Sequence, residues 1–531
     1  MTVERRFWIA TLCVTVIGAA LRLKGIHDPI FDHPGWRQGD TAAIARNFAQ
    51  LQFNPLFPQT DYDGPPPNYV ELELQIVPFL AATLYKLFGV HEVFGRLISL
   101  AFGIATIPLV ALFGRWLFTS ALIGVAAAGA YAILPGAWYY SHTFMPDTAM
   151  VFFTTWALYA CARWIVDEDM SWRGWWTPAV LLAVAFLAKP VAVTALIPIV
   201  ACAVARLGVR GAAARPQLWA LGAVALVPLY AYDRFVSAHA EWHWASGITR
   251  LHVVPSLLGA LTSPHLFVVK AVAFAHALVM LATTMLGPLP FWFAVIACVL
   301  PLRSRSNALL WGWLGGGLLY AYVVVTVERV DYYLYLLLPL GALLAGRLCA
   351  YALERAGPLP ERRRVYAVSL GLLACVAAFF DYLQIAPYYR WSAANYVRAK
   401  ALNATLAPGA LVVMGHYDPS ILYTIGRKGW EEDPHVWTPF DEQSAIRKGA
   451  RYFIAVEHAR LKQTNLELYC WLARFPVLDP AAAWPVYETD PAKVLPGAEA
   501  RWRAFRRREM AGAFANWRRD WKIAPDPCGT P

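Results

Sequence analysis

The sequence predicts a mainly α-helical protein that crosses a membrane many times and ends in an α/β domain outside it. Hydrophobic residues make up 58% of the 531 residues, charged residues only 15%, and the mean hydropathy is +0.43. Soluble globular proteins of this length are less apolar. Stretches of about 17 to 25 apolar residues, long enough to cross about 30 Å of hydrocarbon as helices, recur from residue 8 to residue 384. Beyond residue 384 the pattern stops.

The apolar stretches, taken in order, predict about 11 to 13 transmembrane helices. Two further apolar stretches, 70–89 and part of 270–290, would lie in the membrane interface or re-enter the bilayer. The predicted spans are 8–24, 94–117, 121–139, 149–166, 176–189, 191–207, 217–235, one crossing within 270–302, 307–327, 331–351 and 365–384.

Short basic connectors separate alternate spans, as is typical of cytoplasmic loops. The N-terminal "MTVERRF" places the N-terminus in the cytoplasm, so an odd number of crossings leaves residues 385–531 outside. The same N-terminus could be a cleaved signal peptide, but no clear small-residue cleavage site follows "AALRLKG", which favours a retained anchor helix. We therefore expect a multi-pass protein of a bacterial inner membrane.

Charge and cysteine usage exclude several classes of protein. The net charge of +11 comes from arginines dispersed among connectors, which predicts lipid headgroups as partners and no nucleic acid. No phosphate-binding loop, dinucleotide fingerprint or zinc pattern supports a nucleotide-driven pump or a nicotinamide enzyme. Cys470 and Cys528 could form a disulfide, although their spacing does not decide it.

The composition divides the chain into a transmembrane domain, 1–384, and a soluble extracytoplasmic domain, 385–531. In the second, "GALVVMGHYDPSILYTIGRKGW" and "GARYFIAVEH" indicate buried strands, and "TPFDEQSAIRKG" between them indicates a helix. This α/β domain collects no catalytic constellation, so we interpret it as a cover or docking module.

The first outer loop, about 25–93, contains the polar stretch "HPGWRQGDTAAIARNF". Its apolar spacing predicts an amphipathic surface helix with Asp40 at the N-terminal end, where Asp40 could simply cap the helix. Arg37 lies one turn earlier, and Asp32, His33 and Trp36 are close in sequence. The acidic, proline-braced "QTDYDGPPPNYVELELQ" follows, so the loop is typical of a site for a hydroxyl compound.

Two other outer turns carry ionisable residues, which are costly near a bilayer and need a partner or a function. In "YYSHTFMPDTAM", Asp147 begins a predicted span and His142 precedes it; Asp147 is either a helix cap or an outward functional carboxylate. In "FLAKPVAV", Lys189 either extends to the interface or neutralises a lipid phosphate.

The fourth outer turn is "VERVDYYLYLLLPL". Arg329 could pair with Glu328 or Asp331, and the tyrosines could form an interfacial aromatic belt. Alternatively, Arg329, Asp331, Tyr332 and Tyr333 could contact substrate.

These four places, in this order, resemble the polytopic lipid-donor (GT-C type) glycosyltransferases. The long acidic outer loop, the "PD" turn, the lysine-proline turn and "DYYLYLLLP" are similar to those of the protein O-mannosyltransferase and lipid A aminoarabinose-transferase family. The resemblance covers about residues 5–350 and implies two interfacial helices in the first outer loop, with an active site at the outer membrane face.

The resemblance implies transfer of a sugar from a polyprenyl-phosphate donor to a hydroxyl acceptor of the cell envelope, usually with inversion. Such catalysis needs a carboxylate to take the acceptor proton and cations to hold the phosphate. Asp40 is the first candidate for the base and Asp147 the second carboxylate. The candidate substrate-binding residues are Trp36, Arg37, Gln38, His142, Lys189, Arg329, Asp331, Tyr332 and Tyr333.

The sequence departs from the family pattern at one point. Arg37 and Gln38 stand where the family usually has an aspartate-glutamate pair, and Asp40 lies three residues later. The base could therefore be Asp40, Asp32 or Asp147. Two outer carboxylates could also bind a divalent cation.

Two rival functions fit a basic polytopic chain. A transporter or flippase would place its ionisable residues at mid-membrane on broken helices, whereas here they gather at the outer ends of spans. A polymerase or ligase of envelope polysaccharide is the nearer competitor.

Overall fold

Backbone N–H and C=O groups within the hydrocarbon of a bilayer must form hydrogen bonds inside the protein. The apolar stretches of this chain form these bonds as helices. The computed structural model describes residues 2–300, 303–355, 357, 359–515 and 528. Among them, seven helices are long and apolar enough to cross a membrane, so the chain is a multi-pass membrane protein. They are Glu92–Phe118, Asp147–Val166, Pro190–Ala213, Pro264–Met285, Asn307–Glu328, Asp331–Arg355 and Pro360–Thr405. The total of 11 to 13 crossings stays a prediction.

The structure divides into two compact units. The first comprises residues 1–28, 48–58 and 70–390, and the second comprises residues 29–47, 59–69 and 391–531. The second unit thus includes two segments of the first outer loop, whereas the sequence division at residue 384 gave that whole loop to the transmembrane domain.

The first unit is helical apart from two-residue strands β1 (Val70–Glu71) and β2 (Trp242–His243), which pair in parallel. Besides the long spans it contains Val3–Arg22, Ile76–Phe88, Ala121–Ile133, Pro135–Tyr140, Trp176–Ala188, Pro216–His239, Trp244–Ile248, Thr249–Val253, Val254–Thr262, Pro288–Val299 and Ala386–Tyr389. Several spans contain changes of helix type, at Pro190–Ala195, Leu281–Met285, Ala321–Val325 and Asp331–Leu337.

The structure divides two of the predicted spans and lengthens a third. The predicted span 121–139 is two helices, because Leu134 is extended before Pro135 and the second helix begins there. The predicted crossing within 270–302 is also divided, at Gly287, whose φ of 80° ends one helix before Pro288 starts the next. The first helix begins at Val3 and carries Glu4, Arg5 and Arg6.

The second unit contains a four-stranded sheet with helices around it. The strands are β3 (Leu411–Met414), β4 (Lys428–Glu431), β5 (Ala450–Ile454) and β6 (Val486–Glu488), in the order β4-β3-β5-β6. Only β6 is antiparallel to its neighbour. The helices are Gly35–Gln50, of which residues 35–47 lie in this unit, Ala393–Thr405, Pro419–Ile425, Pro439–Arg447, His458–Thr464, Leu466–Leu472, Pro491–Lys493 and Ala498–Ala515.

Both stretches predicted as strands contain them, and the helix predicted between them is Pro439–Arg447. That helix starts with a reciprocal capping box between Thr438 and Asp441. Cys470 and Cys528 form a disulfide, which settles the pairing that the sequence left open.

Candidate functional site

The helix that carries Asp40 differs from the predicted surface helix. It begins at Gly35, so Asp40 lies in its second turn and is not at its N-terminal end. The helix is buried on almost all sides, and Asp40 is only 2% exposed. A Cβ atom on Gly39 would lie 2.5 Å from the Ser420 backbone nitrogen, so only glycine permits this close approach. Asp40 is therefore a buried side chain within the second unit.

The Asp40 carboxylate accepts a hydrogen bond from the Tyr62 hydroxyl at 2.7 Å. Arg37 lies one turn earlier on the helix, with its Nη1 3.8 Å from Asp40 Oδ2. Burial raises the pKa of Asp40 to about 7, although the Arg37 cation and the Tyr62 hydroxyl favour the charged form. A carboxylate with a pKa near neutrality can accept and release a proton at physiological pH.

Further acidic groups that the sequence analysis missed surround Asp40. Glu431 ends strand β4, is 2% exposed, and its Oε2 has no hydrogen-bond partner among the described residues. Burial and then the charge of Asp40 raise its pKa well above the usual value. Burial, with a contribution from Glu432, also raises the pKa of Asp63 to about 7. No short sequence pattern relates strand β4 to the first loop.

Asp61 is two residues before Asp63, but its pKa is shifted in the opposite direction. Its carboxylate pairs with Arg46 and lies 3.0 Å from Lys428 Nζ and from Asn47 Nδ2. Burial alone would raise the pKa of Asp61, but the two cations outweigh it and bring the pKa below its usual range. Asp61 is thus a fixed counter-ion, whereas Asp40 is poised to titrate.

The remaining predicted residues of the first loop have distinct environments. Gln38 is buried and donates a hydrogen bond to Oδ1 of Asp32, an alternative candidate base, at 2.8 Å. Trp36 is 39% exposed in the first turn of the helix.

Within the first unit, the structure brings together predicted residues from separate outer turns. Asp147 is not the helix cap that the sequence allowed, because Pro146 occupies the N-cap position and Asp147 is the first residue within the helix. Its Oδ1 accepts from Lys189 Nζ at 2.6 Å, and both side chains are largely buried. Lys189 is therefore paired with a carboxylate of the same unit. Its Nζ also lies 4.9 Å from the ring centre of Tyr333 and 5.5 Å from that of Tyr332.

Asp331 joins the same end of the bundle through two tyrosines. The hydroxyls of Tyr140 and Tyr388 each donate to one Asp331 oxygen at 2.6 Å. The ring of His142 stacks on Tyr389 with centres 5.3 Å apart. Asp331 does not form the ion pair with Arg329 that the sequence allowed. Arg329 is exposed, has a positive φ of 54° and has no ion pair among the described residues.

Two basic residues near the C-terminal end of the first helix were not among the residues predicted for the site. Arg22 is buried and donates to Ser141 Oγ and to the backbone oxygens of Gly18 and Ala132. Lys24 contacts the Tyr382 hydroxyl and lies over the rings of Tyr382 and Tyr389. Within the described part of the chain, no group of three or more His, Cys, Asp or Glu side chains could hold a metal ion.

Comparisons with known proteins agree with this architecture. Residues 75–232 match the family described as dolichyl-phosphate-mannose-protein mannosyltransferase. ArnT from Cupriavidus metallidurans, solved with bound undecaprenyl phosphate, superposes with a TM-score of 0.57 at 14% identity, covering 93% of this chain and 99% of ArnT. A search of curated protein sequences gives no match.

The archaeal oligosaccharyltransferase AglB from Archaeoglobus fulgidus, solved with an inhibitory peptide and a dolichol-phosphate, has a TM-score of 0.55 at 12% identity. The similarity covers 93% of this chain and 76% of AglB. The chain thus has the GT-C glycosyltransferase fold and resembles the lipid-donor enzymes of the protein mannosyltransferase and ArnT type.

Proposed function

We propose that this protein is a membrane glycosyltransferase that transfers a sugar from a polyprenyl-phosphate-linked donor to a hydroxyl group of a lipid, glycan or protein. The GT-C fold supports this proposal, and so do the polyprenyl-type phosphates bound to ArnT and AglB. We further propose that the transfer takes place at the outer face of a bacterial inner membrane and inverts the anomeric configuration.

The observation that carries the proposal is Asp40, a buried carboxylate between a cation and a hydroxyl with a pKa of about 7. In the proposed step, Asp40 takes the proton of the acceptor hydroxyl while the acceptor oxygen attacks the anomeric carbon of the donor sugar. The bond between that carbon and the phosphate oxygen breaks, and its electron pair leaves with the polyprenyl phosphate. The donor needs no further activation, because a phosphate is already a charged leaving group.

Three cations are proposed as candidates for a phosphate, namely Arg37 in the second unit and Arg329 and Lys189 in the first. Arginine can bind two phosphate oxygens at once, whereas lysine acts as a point charge. The charge of Lys189 is already compensated by Asp147, so we propose that Asp147 positions this lysine. Arg329 has no acidic partner among the described side chains and is available for a phosphate. The aromatic Trp36, Tyr332 and Tyr333, with His142, Gln38 and Asp331, are proposed to shape the sugar sites.

The proposed orientation has the N-terminus in the cytoplasm and the second unit outside. The disulfide between Cys470 and Cys528 supports it, because such bonds persist in oxidising compartments and are rare in the cytosol.

The decisive experiment is transfer by the full-length protein in liposomes that contain a radiolabelled undecaprenyl-phosphate sugar and extracted envelope lipids and glycans. Asp40→Asn keeps the shape of the side chain but cannot accept the proton, so we expect transfer to fall at least about 100-fold. Asp479→Asn, an exposed aspartate of the same unit, is the matched control and should transfer normally. Near-normal transfer by Asp40→Asn would exclude Asp40 as the base.

A further inference from the structure

A polar cavity lies beyond the ends of strands β3 and β5 in the second unit, with a volume of about 590 Å³. Ligand sites commonly measure about 300 to 1,000 Å³. Its walls come from the segments after β3 and β5, from the helix Ala393–Thr405, and from the turn before β6. It is lined by Asn395, Arg398, His416, Glu457, His458 and Trp484, among others.

The topology of the sheet marks this position as a binding crevice. Strands β3 and β5 are parallel neighbours, and the connection from β3 goes to β4 on one side while that from β5 goes to β6 on the other. Open α/β sheets bind ligands where connections leave adjacent strands in opposite directions, beyond the carboxyl ends of those strands. His416 follows the end of β3 by two residues, and Glu457 follows the end of β5 by three.

The charges that line the cavity leave one cation uncompensated. Glu457 lies 3.1 Å from the His416 ring and 2.7 Å from Arg460, which also pairs with Asp433 at 2.8 Å. Arg398 has no acidic group within ion-pair distance among the described residues, and its guanidinium lies 6.0 Å from the ring centre of Trp484. Burial, with the nearby Lys462 charge, lowers the pKa of His458, so this imidazole is neutral at pH 7.

The geometry points to a binding site for an anionic sugar. A guanidinium would bind a carboxylate or phosphate group through charge-assisted hydrogen bonds. The indole wall and the amide, imidazole and carboxylate groups around it suit the apolar face and the hydroxyls of a pyranose ring. If the proposed function holds, this cavity would hold an acidic sugar of the acceptor glycan, and the second unit would select acceptors.

The test is isothermal titration of the full-length protein in detergent, without donor lipid, with glucuronate, glucose 6-phosphate, glucose and inorganic phosphate. We expect at least one of the two anionic sugars to bind at least about tenfold more tightly than glucose and inorganic phosphate. The tighter of the two identifies the anion as carboxylate or phosphate. Binding of inorganic phosphate as tight as that of glucose 6-phosphate, with no binding of glucuronate, would overturn the sugar assignment.

Arg398→Gln should weaken binding of the preferred anionic sugar about tenfold. Arg447→Gln is the matched control, because Arg447 also lies over an aromatic ring, that of Phe440, but does not line the cavity. Asn395→Ala provides a second variant of the cavity wall. Unchanged binding in both Arg398→Gln and Asn395→Ala, or no binding of any probe, would overturn the proposal. Because binding is measured without transfer, the result does not depend on whether Asp40 is the base.

Discussion

At the residue scale, two buried carboxylates of the same unit have opposite pKa shifts. Asp61 contacts two cations and an amide, which stabilise its charged form, whereas Asp40 has one cation at 3.8 Å and a neutral hydroxyl. The pKa of Asp61 is consequently lowered and that of Asp40 raised to about 7. Environments that separate the pKa values of neighbouring carboxyl groups are a mark of acid-base sites.

A pH profile of transfer tests this assignment. If Asp40 must be ionised to act as base, the rate should fall as the pH drops below about 7. Arg37→Gln removes the charge that lowers the pKa of Asp40, so the acid limb of the profile should move to higher pH, with lower activity at pH 7.

Glu431→Gln serves as the control for that profile. The pKa of Glu431 is raised well above the usual value, chiefly by burial, which favours its protonated form. Glutamine has nearly the shape of a protonated glutamate, and the acid limb of the pH profile should therefore stay at the same pH. An acid limb that does not move in Arg37→Gln would contradict the assignment of Asp40.

At the element scale, a segment of the first outer loop is joined to the edge of the sheet. The Gly429 N–H donates to the Asp61 carbonyl at 2.9 Å, and the Gly64 N–H donates to the Gly429 carbonyl at 2.8 Å. Strand β4 is an edge strand, and these bonds cover backbone groups that would otherwise be open to other chains. Because Tyr62 lies between Asp61 and Gly64, the same pairing fixes the hydroxyl that donates to Asp40.

Asp61→Asn should destabilise this junction. The substitution leaves Arg46 and Lys428 without their buried counter-ion, and we expect a loss of about 3 to 5 kcal/mol in the free energy of unfolding. The folded pKa of Asp61 lies below the unfolded value of about 3.9. Its stabilisation is therefore present above about pH 4 and is lost as the pH falls through the folded pKa.

Thermal unfolding of the full-length protein in detergent measures this difference at pH 7 and again at a pH below the folded pKa of Asp61, where the variant and the wild type should converge. Asp433→Asn is the control, since its pair with Arg460 is partly exposed and should contribute less than about 1 kcal/mol. Equal stability of Asp61→Asn and wild type at pH 7 would show that the ion pairs do not hold the segment.

At the scale of the whole molecule, one chain contains both long apolar helices and a four-stranded sheet. The second unit recruits residues 29–47 and 59–69 from the first outer loop, so these loop segments must be on the same side of the membrane as residues 391–531. The predicted topology meets this condition, because it places both parts an odd number of crossings from the N-terminus. The disulfide at Cys470 and Cys528 is consistent with the outer side.

Reporter fusions test this orientation. Alkaline phosphatase fused after residue 531 should be active and a fluorescent protein at the same position dark, since each reporter matures on one side of the membrane only. Fusions at Arg215, in the basic segment between the helices Leu196–Ala213 and Pro216–His239, should give the reverse pattern. A bright fluorescent protein at the C-terminus would contradict the proposed topology.

The sequence by itself determined the features that depend on local signals. Apolar length predicted a membrane protein, Pro146 and Asp147 marked the start of a helix, glycine turns located strands β3 and β5, and the order of short motifs indicated the GT-C relatives. These properties belong to a few neighbouring residues or to composition, and so they can be predicted without the fold.

The tertiary structure decided what depends on contacts distant in sequence. Asp40 lies in the buried second turn of a helix, and Glu431 lies close enough for the charge of Asp40 to raise its pKa. Lys189 pairs with Asp147. Tyr140 and Tyr388 both donate hydrogen bonds to Asp331. Burial and charge at such positions arise from residues far along the chain, and so does the raised pKa of Asp40 on which its proposed role rests.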